Sequence, residues 1–317
     1  MVTKADLLAA LSEVRPARGR RDEAMARRFE AHGVASAALA PARKQLHTLV
    51  ASVASSSDAA LRHALLVPES GRASADASSL AAWAGTLGAP LGGIDYVRMV
   101  SLGDILQNGG GASEDARAAA LVESFVDARA MRRGMIVLED VDLLLAASGG
   151  SVGGGGMGGG GGLSPVLIGV LKSLLREPLD EVTRAANAAD ADTPLLATDA
   201  PCLVVLATVS TPSQSTTDAL RPLFRSMVRV PLLKTAEEAA DALRTSPALS
   251  TILHPDAVEP AAALALELAS GTVGATELCD LVEGACRLEV AGGEDAAKDA
   301  AGAQLAAIRE SCEAQCL

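Results

Sequence analysis

Five apolar runs, "LRHALLV", "DYVRMV", "GMIVLED", "PCLVVLATVS" and "SMVRVPLL", recur between residues 61 and 233, with helical patterns between most of them. This alternation is the strongest constraint on the fold. Strands that are apolar on both faces need cover on both faces, and helix-punctuated strands of this kind build a parallel sheet. "SSLAAWAG", "SEDARAAALVESFVDARAM" and "SPVLIGVLKSLLRE" supply the helices. From residue 235 onward only helical patterns follow, in "TAEEAADALRTS", "DAVEPAAALALELAS" and "GATELCDLVEGACRLEV". The sequence therefore predicts an α/β core followed by a smaller helical unit.

Composition agrees. Hydrophobic residues make up 49% of the 317 residues while aromatics make up only 2%, so much of the apolar content is alanine, which favours closely packed helices. A net charge of −12 argues against a general nucleic-acid partner, which requires clustered Lys and Arg. The five cysteines contain no CxxC pair and the four histidines lie far apart, so they read as structural thiols and surface imidazoles rather than a zinc site. No apolar run approaches the ~20 residues of a membrane span, and "MVTKADLLAAL" lacks the apolar centre of a signal peptide. The expectation is a cytoplasmic protein with no membrane insertion.

Two segments interrupt the pattern. "SGGSVGGGGMGGGGG", residues 148–162, is low-complexity glycine expected to form a mobile loop. The acidic, polar stretch over 178–200 reads as a surface insertion. The N-terminal segment "TKADLLAALSEVRPARGR" reads as a helix capped at Thr3 and ended by Pro16 and Gly19.

The functional signal begins where the first strand run meets its helix, in "PESGRASADASSLAAWAG". A phosphate-binding loop, G-x-x-x-x-G-K-[ST], sits at such a junction, and its amides cradle phosphate oxygens while its Lys pairs with them. Here the frame is Gly71, four residues, then Asp76, Ala77 and Ser78, so the second glycine and the lysine are missing. Some 60 residues on, "GMIVLEDVDLLL" has the form of a Walker B strand ending in Glu139 and Asp140, and "LVVLATVS" that of a sensor-1 strand carrying Thr208 and Ser210.

This collinear set resembles the vesicle-fusing AAA+ ATPases, the N-ethylmaleimide-sensitive-factor family that disassembles SNARE complexes, and specifically their second ATPase ring. "VTKADLLAALSEVRPARG" is similar to the last helix of the first ring's lid, and "HGVASAALAPARKQL" to the linker between rings, with Val34 and Ala35 edging the adenine pocket. "LRPLFRSMVRVPLL" and "GTVGATELCDLVEGA" are similar to the post-sensor strand and the lid. The resemblance implies an AAA+ P-loop NTPase core with a helical lid: residues 1–45 from the preceding module and linker, 46–233 the core, 234–291 the lid and 292–317 a tail. It also implies that the chain begins inside a longer product. ATP and Mg2+ would be the cofactors, held by Gly71, Asp76, Ala77, Ser78, Glu139 and Thr208, with Ser78 and Glu139 toward the metal and Asp140 in the catalytic position. The implied partners are a homo- or hetero-hexameric AAA+ ring and SNARE complexes met through adaptor proteins, on vesicle or Golgi membranes without insertion.

In that family the second ring mainly holds the hexamer together. Here Asp76 stands where glycine is expected, Ala77 where lysine is expected, and Glu139 where the first Walker B aspartate is expected; Thr276 and Glu277 occupy the place of the lid's basic residue. Two unit charges 4 Å apart in a partly screened site interact by about 4 kcal/mol. Exchanging an attraction for a repulsion on this scale removes more than about three decades of affinity. The expected product is a hexamer scaffold that does not hydrolyse ATP, or alternatively a free-standing pseudo-ATPase that regulates a ring. In both, Ser78 and Asp76 are expected to cap their own helix. A divergent active enzyme would need a lysine from elsewhere, with Lys44 and Lys172 in reach of the pattern. Arg221 and Arg225 fall where trans-acting arginines lie in some AAA+ proteins, and Trp83 is expected in the core.

Overall fold

A computed structural model describes residues 35–54, 60–87, 94, 96–107, 113–131, 133–147, 162–177 and 202–291. The N-terminal helix, Val34, most of the glycine-rich segment, the acidic insertion and the tail lie outside the described residues.

The five apolar runs are strands β1 (Ala60–Pro68), β2 (Tyr96–Val100), β3 (Arg133–Leu138), β4 (Cys202–Thr208) and β5 (Ser226–Val230). They form one parallel sheet in the order β2–β3–β4–β1–β5. Strands β1–β4 divide their side chains between two cores, while β5 adds Val228 and Val230 to one of them. Cys202, Val204 and Leu206 of β4 belong to one, while Leu203, Val205 and Ala207 belong to the other. The period of two is why the strands read as continuous apolar runs.

The first face is covered by α1 (Ala40–Ala54) and α2 (Ser74–Leu87), through Leu46, Val50, Ala77 and Leu80. The second is covered by α4 (Glu114–Arg129) and α6 (Pro165–Arg176), through Leu121, Phe125 and Leu171. Between them the chain forms the shorter helices α3 (Leu102–Gln107) and α5 (Val141–Leu144). Helix α6 is started by Ser164, which accepts from the Leu167 amide, with Pro165 in the first turn. A side chain at Gly134 would place its Cβ 2.5 Å from the Ala128 carbonyl oxygen, so β3 lies on the end of α4 at a distance only glycine permits.

After β4 come α7 (Gln214–Leu220), β5, and then α8 (Ala236–Thr245), α9 (Val258–Leu268) and α10 (Ala275–Ala291). Helix α8 opens on a full capping box between Thr235 and Glu238. The C-terminal helices do not have a separate core. Ala239, Leu243, Ala262 and Leu278 join the same buried cluster as Leu46 and Leu80, so the lid packs continuously with the α1–α2 face. Trp83, as expected, packs against that cluster.

Candidate functional site

The chain crosses from one face of the sheet to the other around β1 and β4: α2 follows β1 on the first face, whereas α4 and α6 lie on the second. Ligands of open parallel sheets bind beyond the carboxyl ends of strands at such a switch point. Gly71, Glu139 and Thr208 follow or end β1, β3 and β4, and the structure brings all three to that edge. Leu66 of β1 pairs in register with Thr208, and a Cβ at Gly71 would stand 3.9 Å from the Ser210 carbonyl oxygen.

On the β3–β4 side the polar groups bond to one another. The Thr208 hydroxyl is fully buried and accepts the Asp140 amide at 2.9 Å. Asp140 adopts the left-handed conformation, φ 48° and ψ 56°, at the start of α5. A non-glycine residue there costs of order 1–3 kcal/mol and persists only where surrounding contacts fix it. Asp142, two residues on and buried, accepts from the Ser210 amide at 2.9 Å, the Ser210 hydroxyl at 2.7 Å and the Thr211 amide at 3.1 Å. Buried Arg117 closes the other end of α5, donating to the carbonyls of Leu144 and Ala146. The two ends of the glycine-rich segment are pinned together here by the antiparallel bridge between Ala146 and Leu163.

On the β1 side the expected loop is a correction. Strand β1 ends at Pro68, a 3-10 turn begins at Gly71, and α2 runs on from Ser74, so only Glu69 and Ser70 separate strand from helical backbone. The frame Gly71–Ser78 is helical, and its amides serve the helix. The Ala73 amide bonds to the Ser70 carbonyl and the Arg72 amide to the Ser70 hydroxyl. Ser70, not Ser78, caps this helix. Ser78 and Ala77 are buried inside α2.

Asp76 is fully buried and caps a different helix from its own. Its carboxylate accepts the Ala275 amide at 2.8 Å and the Thr276 amide at 2.6 Å, at the start of α10. Burial pushes its pKa up, opposed by the Thr276 hydroxyl and these amides, with Glu277 adding to the rise. Cys279, one turn further along α10, is pushed up to about 12, chiefly by burial.

In the 3-10 turn just before α2, Arg72 donates from Nη1 to the carbonyls of Ala269 at 2.6 Å and Thr272 at 2.9 Å, just past the end of α9. Glu69 reaches the same unit, accepting the Leu232 amide at 3.1 Å and the Lys234 ammonium at 2.6 Å.

Arg72 and Asp142 are the residues the sequence reading missed. Gly71-Arg72-Ala73 opens the helix where G-K-[ST] opens it in a phosphate loop, and a basic residue directly after a glycine at a strand–helix junction was the available signal. Of the other candidates, Ala35 is exposed, and Lys44 and Lys172 lie exposed on α1 and on α6, which cover opposite faces of the sheet. Arg221 and Arg225 are exposed beside β5, where the Arg225 amide donates to Nδ1 of buried His63. Among the described residues, no group of three or more His, Cys, Asp or Glu side chains is placed to hold a metal ion. Ser78, the hydroxyl expected toward the metal, is buried inside α2. The 3-10 turn and the first turn of α2 hold no lysine, and their charged side chains Arg72 and Asp76 both bond to the lid.

Strand order, switch-point site and helical lid together define the AAA+ P-loop NTPase fold. The solved structure of the ORC2 protein of Aeropyrum pernix, in ADPNP–ADP complexes, is similar to this chain with a TM-score of 0.51, covering 87% of this chain and 70% of that one at 14% identity. At this identity the likeness concerns the fold. No protein-family model matches the chain, and no curated protein matches it. No helix among the described residues is long and apolar enough to cross a membrane.

Proposed function

We propose that the chain is an AAA+ module that does not hydrolyse ATP and acts as the scaffold ring of a hexameric, vesicle-fusing ATPase that disassembles SNARE complexes through adaptor proteins. The observation that carries the loss of hydrolysis is the route of the Arg72 side chain. The basic group at the start of α2 points into the carbonyl end of α9, and the carboxylate of Asp76 holds α10. The vesicle-fusion part of the reading is supported by the collinear run of linker, Walker B, sensor-1 and lid motifs in the sequence.

A second reading, a free-standing pseudo-ATPase that joins an intact ring, is favoured by the same contacts, because a subunit whose lid is tied down by its own side chains needs no nucleotide to keep its shape. Mixing purified chain with an intact ring ATPase separates the two: incorporation and altered turnover favour the regulator, and self-assembly alone favours the scaffold. Hydrolysis itself is tested by phosphate release from MgATP, which should stay at background in the protein and in Asp140→Asn. Turnover that Asp140→Asn abolishes would contradict both readings.

A further inference from the structure

We propose that Arg72 and Asp76 are a clamp that fixes the lid to the core by protein contacts alone, occupying the role that a bound nucleotide would have in joining them. The clamp stands on the contacts themselves, and its substitution for a bound nucleotide rests on the reading of a non-hydrolysing module.

Arg72 lies in the 3-10 turn that leads into α2 and Asp76 in the first turn of α2, and both side chains reach the same part of the lid. They take hold of opposite ends of one connection, the turn between α9 and α10. Arg72 meets the carbonyl end of the first helix, and Asp76 meets the amide end of the second. Both termini thus receive groups that complete backbone hydrogen bonds left open at helix ends, the cation at the carbonyl end.

The turn is shaped for this. Ser270 and Gly271 are left-handed, with φ of 57° and 86°, and the Gly271 amide closes back on the Leu266 carbonyl at 2.8 Å. Val273 is paired in both directions with Leu233, the residue through which the chain enters the lid. At Gly274 the approach is closer than any side chain allows: a Cβ there would lie 2.3 Å from the Arg72 carbonyl oxygen and 3.0 Å from an oxygen of Asp76. Charged groups, helix ends and a glycine contact therefore converge on one point. Glu277 faces the same place, its carboxyl held up by burial and drawn back by Arg72.

The test is amide hydrogen exchange on the full chain across residues 266–278, for the unsubstituted protein, Arg72→Ala and Asp76→Ala, each with and without MgATP. The clamp predicts that either substitution speeds exchange in this turn at least tenfold while peptides of β1, β3 and β4 keep their rates. Asp76→Asn, which retains one acceptor oxygen, should fall between, and it carries the test if Asp76→Ala does not fold. Turn exchange unchanged in the Arg72→Ala and Asp76 variants would overturn the clamp, whatever MgATP does. Slowing of the turn by MgATP in the unsubstituted protein would overturn the claim that the clamp stands in for a nucleotide, even with the variants behaving as predicted.

Discussion

At the ends of β3 and β4 the polar side chains bond inward. Thr208 holds the Asp140 amide, and Asp142 gathers Ser210 and Thr211. At the end of β1, the next strand along, they bond outward: Glu69, Arg72 and Asp76 all reach across to the lid or to the residues that lead into it. The first region closes on itself, and the second ties the end of β1 to the lid. Each side's hydrogen bonds thus close without the other.

The largest effect on this contrast is expected from Gly274→Ala. The obstacle to its Cβ is backbone, the Arg72 carbonyl at 2.3 Å, so relief requires the lid to move. Overpacking of this kind costs about 3 kcal/mol, near the top of the usual range. Urea unfolding should show it, with lid amides losing protection before those of the sheet. Next is Asp142→Ala, which strips the acceptor from two amides and a hydroxyl at the β4 end. A loss of about 2 kcal/mol is expected, without change in exchange at residues 266–278. If Asp142→Ala loosened the lid as much as Gly274→Ala, the two regions would be one unit and the contrast would fail.

A third prediction concerns neither region. His63 is held neutral, its pKa lowered from 6.5 to about 4, first by burial and then by the nearby Arg225 cation. In the unfolded chain it takes up a proton near 6.5, so the contribution of the neutral ring is complete above that pH and is lost as the pH falls toward 4. Denaturant unfolding between pH 7 and 4 should show acid loss no steeper than about 1.4 kcal/mol per unit from this residue, and the loss should shrink in His63→Gln, which keeps an acceptor for the Arg225 amide. The smallest effect belongs to Lys234→Met. The Glu69–Lys234 pair is half-exposed, and such pairs contribute about 0.5 kcal/mol or less. The stability change should vanish at high salt.

The fold was legible because its signals are local and repeated. The five strand runs, the α4 and α6 patterns and the three C-terminal helices all lie where the apolar periodicity puts them. Glu139 and Thr208 sit at the strand ends that the pattern marks. The β1 junction was not legible. Spacing alone suggested a loop from Gly71 to Ser78, but Ser70 starts helical backbone early and draws in the six residues between. Nothing local to Asp76 shows that its partners are amides 199 and 200 residues away. Arg72 was passed over for the same reason, because its partners are carbonyls of a turn whose shape depends on Ser270 and Gly271.

The most direct test of the account is equilibrium titration of the purified chain with a fluorescent ATP analogue in the presence of Mg2+, read by anisotropy. With the charged side chains of α2's first turns bonded to the lid, no saturable binding is expected up to millimolar analogue. Saturable binding at micromolar concentration, displaced by unlabelled ATP, would contradict it.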